Sequence, residues 1–435
     1  MTSILLIGNG PLPYKNQIQA HNAASLRTAF FKKMLEEEGL KVTTVLIDPN
    51  NASDHPEAEN GVYLFNKNEA GLLKKIESIV RSSKPKAMVA VNTYPSFVAA
   101  QLKTDLPLWA DLNGWVMAEA QSQAAVIKSD ALLAHYFSLE QAILRRADRI
   151  STVSTPQKYA VIGELATLGR LNQYTNQEAL VHVIANHFEA LLPTPPRQRL
   201  DKKEFRILFC GGYNTWVDEE TLFKGLEYAM KKDSSVRFVS TGGVIAGLDD
   251  STYGRFRRRI EKSSFKDRFE FLGWIEFQAI PQLFADADVG INVDLSNYES
   301  EFGARNRLNE MLVRQLPIIT SLNSEISHDL DKAKAALTFK SGDFEAFGEA
   351  ILMLKNDSQL AGTLVKNGDK LLRTIYDPKH LTETLRQWCH HPGRACDAGK
   401  IPSVQRQNLF KALHYSLKKD GLKKTWQRVW KKLRG

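Results

Sequence analysis

Short apolar runs alternate with helical stretches along most of this chain, and the alternation restricts the fold. Strands joined through helices lie parallel, in a sheet covered by helices. The runs fall at residues 3–7, 41–47, 87–91, 106–112, 149–153 and 181–184. Helical periodicity fills the gaps, as over 132–146 and over 19–38, where Leu26, Phe30 and Leu35 form the apolar side and Gly39 ends the helix. Residues 188–204 interrupt the pattern with three prolines and many charges, which reads as a linker. A second α/β series then opens with a strand at 205–209, a Gly211-Gly212 pair and a helix start near Asp218.

With 435 residues, 43% of them hydrophobic and 25% charged, the chain has material for two cores. No apolar run approaches the roughly 18 residues of a membrane span. The opening ILLIG is too short for a signal-peptide core and has no basic residue before it, so a cytoplasmic location is expected. Cys210, Cys389 and Cys396 are too few and too unevenly spaced for a disulfide framework. The Cys389-His390-His391 and Cys396 group matches no standard zinc spacing, and no metal is expected.

Ligands of parallel sheets bind beyond the carboxyl ends of the strands, so the loops there carry the functional signal. Residues 8–13 read GNGPLP. Pro13 stands where a dinucleotide fingerprint needs its third glycine, and there is no Gly-Lys-Ser/Thr element, which removes dehydrogenase and P-loop readings. Gly8 and Gly10 fit either a tight turn or a place where ligand meets backbone. Asp111 and Asn113 in ADLNGW, residues 110–115, follow a strand and offer partners for hydroxyls. His21, near the first helix start, faces the same space or is an ordinary satisfied histidine.

Residues 296–320, SNYESEFGARNRLNEMLVRQLPIIT, carry the densest signal. Glu299, Glu301 and Gly303 precede a helix whose apolar side is Leu308, Met311, Leu312 and Leu316, and Pro317 ends it. Glu310 lies off that apolar side. Carboxylates accept from hydroxyls and helix-start amides favour anions, a combination that suits a nucleotide sugar.

The stretch resembles the donor signature of the retaining glycosyltransferases of family 4 (group 1), in which two glutamates separated by seven residues precede a short helix and a proline turn. Glu310 and Pro317 keep the spacing; Phe302 occupies the first position, so the first glutamate is Glu301 or Glu299. The segments FCGGYNTW (209–216), FVSTGG (238–243), FLGWI (271–275) and ADVGINVD (287–294) follow in the family's order. The resemblance implies an α/β chain of the GT-B fold, two Rossmann-like domains facing a cleft. Residues 1–187 would bind acceptor, 205–375 would bind the nucleotide sugar, and 376–402 would return toward the first domain.

The same resemblance assigns roles. Gly211, Gly212, Asn214, Thr241, Gly242, Gly243, Trp274, Gly303, Arg307 and Glu310 would hold the donor, with Trp274 as base wall or core residue. Gly8, Gly10, His21, Asp111 and Asn113 would hold the acceptor. Tyr213 stands where many members have an arginine that meets the diphosphate. Arg305 and Arg307 at the helix start are the replacement cations, and residues two apart do not share a helix face. Arg305 is expected to neutralise the leaving nucleoside diphosphate beside Glu299 and Glu301, unless a salt bridge to one of them claims it. The implied chemistry needs no cofactor beyond the nucleoside-diphosphate sugar, no metal and no protein nucleophile.

The net charge of +9 resides in residues 403–435, which hold ten Lys and Arg against one Asp. Leu422, Trp426, Val429, Trp430 and Leu433 line one side of a helix and Lys423, Lys424, Arg428, Lys431 and Lys432 much of the other. A basic amphipathic helix with Trp on its apolar side suits an anionic membrane surface, and packing on the first domain or on a partner is the alternative. The tail's aromatics form one stripe rather than alternating with the charges, which disfavours nucleic acid. Tail and resemblance together suggest a saccharide or lipid-linked acceptor at the inner face of the plasma membrane, in surface polysaccharide (O-antigen or capsule) assembly. A catalytically silent nucleotide-binding scaffold and a nucleotide-sugar epimerase are the rivals.

Overall fold

The computed structural model describes residues 2–13, 23–49, 61–187, 192–195, 203–245, 249 and 251–402, with residues 417, 418, 422 and 426 of the tail. Its first domain runs β1 (Ser3–Asn9), α1 (Ala23–Glu37), β2 (Lys41–Asp48), β3 (Val62–Asn66), α2 (Leu72–Ser83), β4 (Ala87–Val91), α3 (Thr93–Gln101), β5 (Leu108–Leu112), α4 (Val116–Ile127), α5 (Leu133–Arg146), β6 (Arg149–Thr152), α6 (Thr155–Thr167) and β7 (Val181–Val183). The second runs β8 (Phe205–Cys210), α7 (Glu219–Lys232), β9 (Val236–Thr241), α8 (Thr252–Glu261), β10 (Phe269–Gly273), α9 (Ile280–Asp286), β11 (Val289–Asn292), α10 (Tyr298–Phe302), α11 (Asn306–Val313), β12 (Ile318–Ser321), α12 (Glu325–Lys332), β13 (Leu337–Phe339), α13 (Phe344–Asn356) and α14 (Ser358–Thr374). A last helix, α15, spans Pro378–His390.

Each domain is one parallel sheet. The first has strand order β3-β2-β1-β4-β5-β6-β7 and the second β10-β9-β8-β11-β12-β13. Both orders reverse direction beside their first strand, between β1 and β4 and between β8 and β11. Such switch points open a crevice at the strands' carboxyl ends. The central strands are apolar on both sides because helices cover both faces: Ile4, Leu5, Leu6 and Ile7 in β1 and Ile207, Leu208 and Phe209 in β8 are fully buried. Each such side chain contributes about 1.5–3 kcal/mol by leaving water.

The chain then recrosses to the first domain. Leu385, Trp388 and Cys389 of α15 join the core around Trp109, and Glu38 at the end of α1 pairs with Arg386. Beyond α15, Asp397 forms a buried ion pair with Arg170 at 2.8 Å, and Arg394 reaches Asp148 at 3.0 Å. A buried pair of this kind fixes position more than it adds stability.

Most expected strands match to within two residues. The strand β3 was missed: its five residues are mostly half-buried and sit at the sheet edge, where apolar patterning is weak. Residues 298–302, expected as part of a polar loop, form the short helix α10, capped by Asn297 accepting from Ser300 N at 2.8 Å. Among the described residues no helix is long and apolar enough to cross a membrane.

Candidate functional site

Three glycine loops meet at the carboxyl edge of the second sheet. Gly211 N donates to Thr241 O at 3.2 Å, Tyr213 N to Gly243 O at 3.0 Å and Gly242 N to Gly273 O at 2.7 Å. The packing excludes side chains. A Cβ on Gly242, whose φ is +87°, would stand 2.2 Å from Gly211 O, and one on Gly212 would stand 2.5 Å from Ile245. The result is a backbone-lined floor, the surface a phosphate-bearing ligand approaches most closely. Asn214, beside it, is buried and accepts from Thr215 N.

Tyr213 is a core residue. It is fully buried, stacks on Phe209 at 4.5 Å and shares a 2.8 Å hydrogen bond with Ser240. Trp274 is the opposite case, with its indole 66% exposed and Nε1 donating to Val244 O at 3.3 Å. Its place next to Gly273 therefore leaves a flat apolar wall beside the loops.

The two arginines of the helix start do different things. Arg305 is buried and donates to Asp294 at 2.6 Å and to Glu299 at 2.7 Å. Two internal carboxylates therefore hold the cation expected for the leaving diphosphate, and Glu299 with it. Burial raises the Glu299 pKa despite the arginine. Arg307 spans the switch point: Nε donates to Cys210 O at 2.7 Å at the end of β8, Nη1 to Asn292 Oδ1 at 3.0 Å at the end of β11, and Nη2 to Gly212 O at 3.2 Å. Among the described residues no carboxylate pairs with it. Its charge lies directly behind the glycine floor, 3.7 Å from the position of a Gly211 Cβ.

Glu310 is partly buried and its Oε1 accepts from Arg314 at 3.0 Å; burial raises its pKa. Gly303 is fixed by space, since a Cβ there would fall 2.6 Å from Glu299 O. Glu301 is exposed on the outer side of α10. Lys224 pairs with Glu220 one turn away on the surface of α7, as an ordinary solvated lysine does.

At the first sheet's edge the expectation for Asp111 is corrected. Asp111 is fully buried, takes two 2.7 Å bonds from Arg27 and accepts from Ser151 at 2.6 Å. Full burial keeps both carboxylate oxygens away from an acceptor hydroxyl. Asn113 joins a chain of amides: it donates to Asn92 at 2.9 Å, and Asn92 donates to Asn9 at 2.9 Å across the switch point between β1 and β4. Asn92 holds φ +74°, strained for a residue with a side chain, and that bond together with one to Ala24 O at 3.0 Å pins it there. Gly8 and Gly10 are likewise explained by packing, with Thr28 2.2 Å from a Gly8 Cβ and Leu46 3.1 Å from a Gly10 Cβ. His21 lies outside the described residues.

The domains touch through the second domain's motif segments and first-domain residues that, Trp115 apart, no motif announced. Ser122 donates to Thr215 at 2.8 Å, Ser154 to Phe302 O at 2.6 Å, Thr155 N to Glu325 at 2.8 Å and Asn186 to Asn306 at 2.7 Å. Trp115 meets Phe302 with ring centres 5.1 Å apart. Beside this seam, burial first and the charge of Glu299 second push the Glu119 pKa up to about 7. Ser154 and Asn186 follow strand ends, where such residues are too common to single out, and Ser122 lies inside α4. In the tail, Leu422 and Trp426 are helical and exposed. Trp430, Lys423, Lys424, Lys431 and Lys432 lie outside the described residues.

Comparison with known proteins agrees with this geometry. Residues 204–357 match the family model for glycosyl transferases group 1. No curated protein matches the chain in sequence. Among solved structures, a sucrose-phosphate synthase from Thermosynechococcus elongatus superposes with a TM-score of 0.65 at 15% identity, covering 90% of this chain and 98% of that one. HepE of Anabaena, solved with UDP and glucose, gives 0.62 at 15% identity over 90% and 100%. The lipopolysaccharide outer core galactosyltransferase WaaB gives 0.57 at 11% identity over 89% and 100%. The chain has the GT-B fold of these structures, and the match to the group 1 glycosyl transferase model lies within its second domain.

Proposed function

We propose that the chain is a glycosyltransferase that takes its sugar from a nucleoside-diphosphate sugar. The observation that carries the reading is the glycine floor at the β8–β11 switch point with the Arg307 charge behind it. The floor's amides and this cation would hold the diphosphate, Trp274 would flank the base, and Glu310 would accept from the ribose. The UDP and glucose found with HepE support a uridine nucleotide. Glu299 and Arg305 would act indirectly, by holding α10 in place.

Transfer with retention, without a metal, would rest on positioning and charge stabilisation by these groups. The acceptor would be a saccharide or lipid-linked saccharide of surface polysaccharide assembly, a role supported by the WaaB likeness and by the basic tail. The tail would hold the protein at the inner face of the plasma membrane. The burial of Glu299 against Arg305 favours a second reading, a nucleotide-binding scaffold without catalysis.

A metal-free thermal-shift screen with UDP, GDP, ADP, CMP and dTDP tests the proposal. A rise in melting temperature with UDP is expected. A folded protein that responds to none of the five would overturn the donor reading, and binding of UDP without turnover of any UDP-sugar would leave the scaffold.

A further inference from the structure

A hollow of about 530 Å³ lies between α2 and α3, and every residue that lines it belongs to the first domain. Leu72 of α2 and Val98 of α3, at its base, join the core cluster that contains Leu5 and Ile7, whereas α15 packs with Ile4 and Leu6. Side chains alternate across a strand, so the hollow and α15 lie on opposite faces of the sheet. Three lysines reach the hollow from three separate places: Lys67 from the loop after β3, Lys74 from the first turn of α2 and Lys103 from the loop after α3. Lys67 is held there. Its N donates to Asp48 O at 3.1 Å, its carbonyl accepts from Tyr94 Oη at 3.3 Å, and its ammonium stands over the Tyr94 ring, 4.7 Å from the centre. The two glutamates of residues 67–77 are engaged, Glu69 with Lys75 and Glu77 as acceptor from Lys103 N at 3.1 Å. The start of α2 has no side-chain cap, and Gly71, at φ +69°, opens it to the hollow. Amides at such a start favour an anion.

We propose that this hollow binds a small phosphate monoester with a hydroxylated body, of the size of a phosphorylated monosaccharide, at a site separate from the proposed donor crevice. Its two ends differ, and the difference carries the choice. Helices that return from parallel strands run in the same direction, so the starts of α2 and α3 lie together. There Lys67, Lys74 and the open helix start form a cationic end beside Tyr94, which suits the phosphate. Glu77 lies one turn along α2 from Lys74, and Gln101 lies two turns along α3 from Tyr94, about 10 Å away at the helical rise per residue. Their side chains, with Lys103, offer acceptors and donors to hydroxyls. Inorganic phosphate would fill only the first end. The volume lies in the range of small-molecule sites.

The inference stands apart from the donor reading, and calorimetry on the full chain at fixed ionic strength tests it. The probes are hexose 1- and 6-phosphates, the free hexoses and inorganic phosphate. A hexose phosphate is expected to bind about tenfold or more tightly than inorganic phosphate, and the same in saturating UDP as without it. Replacing both exposed lysines of the cationic end, Lys67→Gln with Lys74→Gln, should weaken that binding about tenfold or more while the unliganded melting temperature stays at the wild-type value. Lys75→Gln, which removes the neighbouring charge that pairs with Glu69, should leave it unchanged. No binding of any hexose phosphate, equal affinity for inorganic phosphate, an equal loss in Lys75→Gln, or a double variant that binds as wild type would each overturn the site. Displacement by UDP together with wild-type binding in the double variant would put the hexose phosphate in the donor crevice instead.

Discussion

The two sheets share one topology and present opposite surfaces at their switch points. Between β1 and β4 the crevice is closed by a neutral amide bond, Asn92 to Asn9, and the nearby charges of Arg27 and Asp111 cancel each other in the interior. Between β8 and β11 the bridging side chain is Arg307, which bonds carbonyl and amide oxygens behind a floor of glycines, with Asp294 near enough to act on its charge but not paired with it. A buried cation among carbonyls is favourable only with an anion nearby or water at hand. The fold therefore provides two equivalent crevices, and the residues at the strand ends make one of them structural and the other the proposed place for an anion.

Removing Arg27 tests the structural half and has the largest expected effect. Arg27→Met leaves Asp111 buried and unpaired, which costs about 3–5 kcal/mol of stability, read as a lower urea midpoint. Adding Asp111→Leu to the same chain should recover much of the loss, because an apolar pair replaces a stranded charge. If Arg27→Met instead kept wild-type stability and lost UDP binding, the two crevices would be alike and the contrast would fail.

Arg307 tests the receptive half. Arg307→Ala removes the charge and three hydrogen bonds behind the floor, and charge-assisted bonds are worth about 1.5–3 kcal/mol. UDP affinity by calorimetry should fall by about tenfold or more, with Arg307→Lys between the two because a lysine restores the charge without the fork. Arg305→Ala differs in kind, since it leaves Asp294 and Glu299 unpaired and so lowers stability first.

These contrasts also mark what could be read from the chain. The strands were visible because covered parallel strands are continuous apolar runs: 87–91 matches β4 residue for residue, and Leu308, Met311 and Leu312 line the buried side of α11 as their spacing required. The glycine floor was visible because a tight backbone approach demands glycine at fixed loop positions. The roles of charged residues were not. Arg305 and Arg307 stand two apart in the same turn, and only the fold brings Asp294 to one and Cys210 O to the other. Asp111 looked available because its partner Arg27 lies 84 residues away. Periodicity reports which side of an element is apolar, and it contains nothing about which distant charge will meet a carboxylate.

The last effect, which depends on pH, comes from the seam where the two edges meet. Glu119 of α4 is buried against the charge of Glu299 and titrates at about 7. Deeper in the first domain, burial and mutual repulsion raise the pKa of Glu140, and burial raises that of Glu164. In the folded chain these carboxyls keep protons that the unfolded chain has released above the ordinary value of 4.5. The contribution of Glu119 and Glu164 to stability is thus fully present below 4.5, falls as pH rises toward about 7 and is level beyond it, and that of Glu140 likewise falls as pH rises above the ordinary carboxyl range. The fall from Glu119 should be about 3 kcal/mol at most, seen as a lower urea midpoint at about pH 8 than at about pH 5. Glu119→Gln should remove that share of the slope and raise stability at the higher pH, because an amide cannot repel Glu299. If the slope persists in Glu119→Gln and vanishes in Glu164→Gln, the titrating group belongs to the interior of the first domain, and the seam between the domains is indifferent to pH.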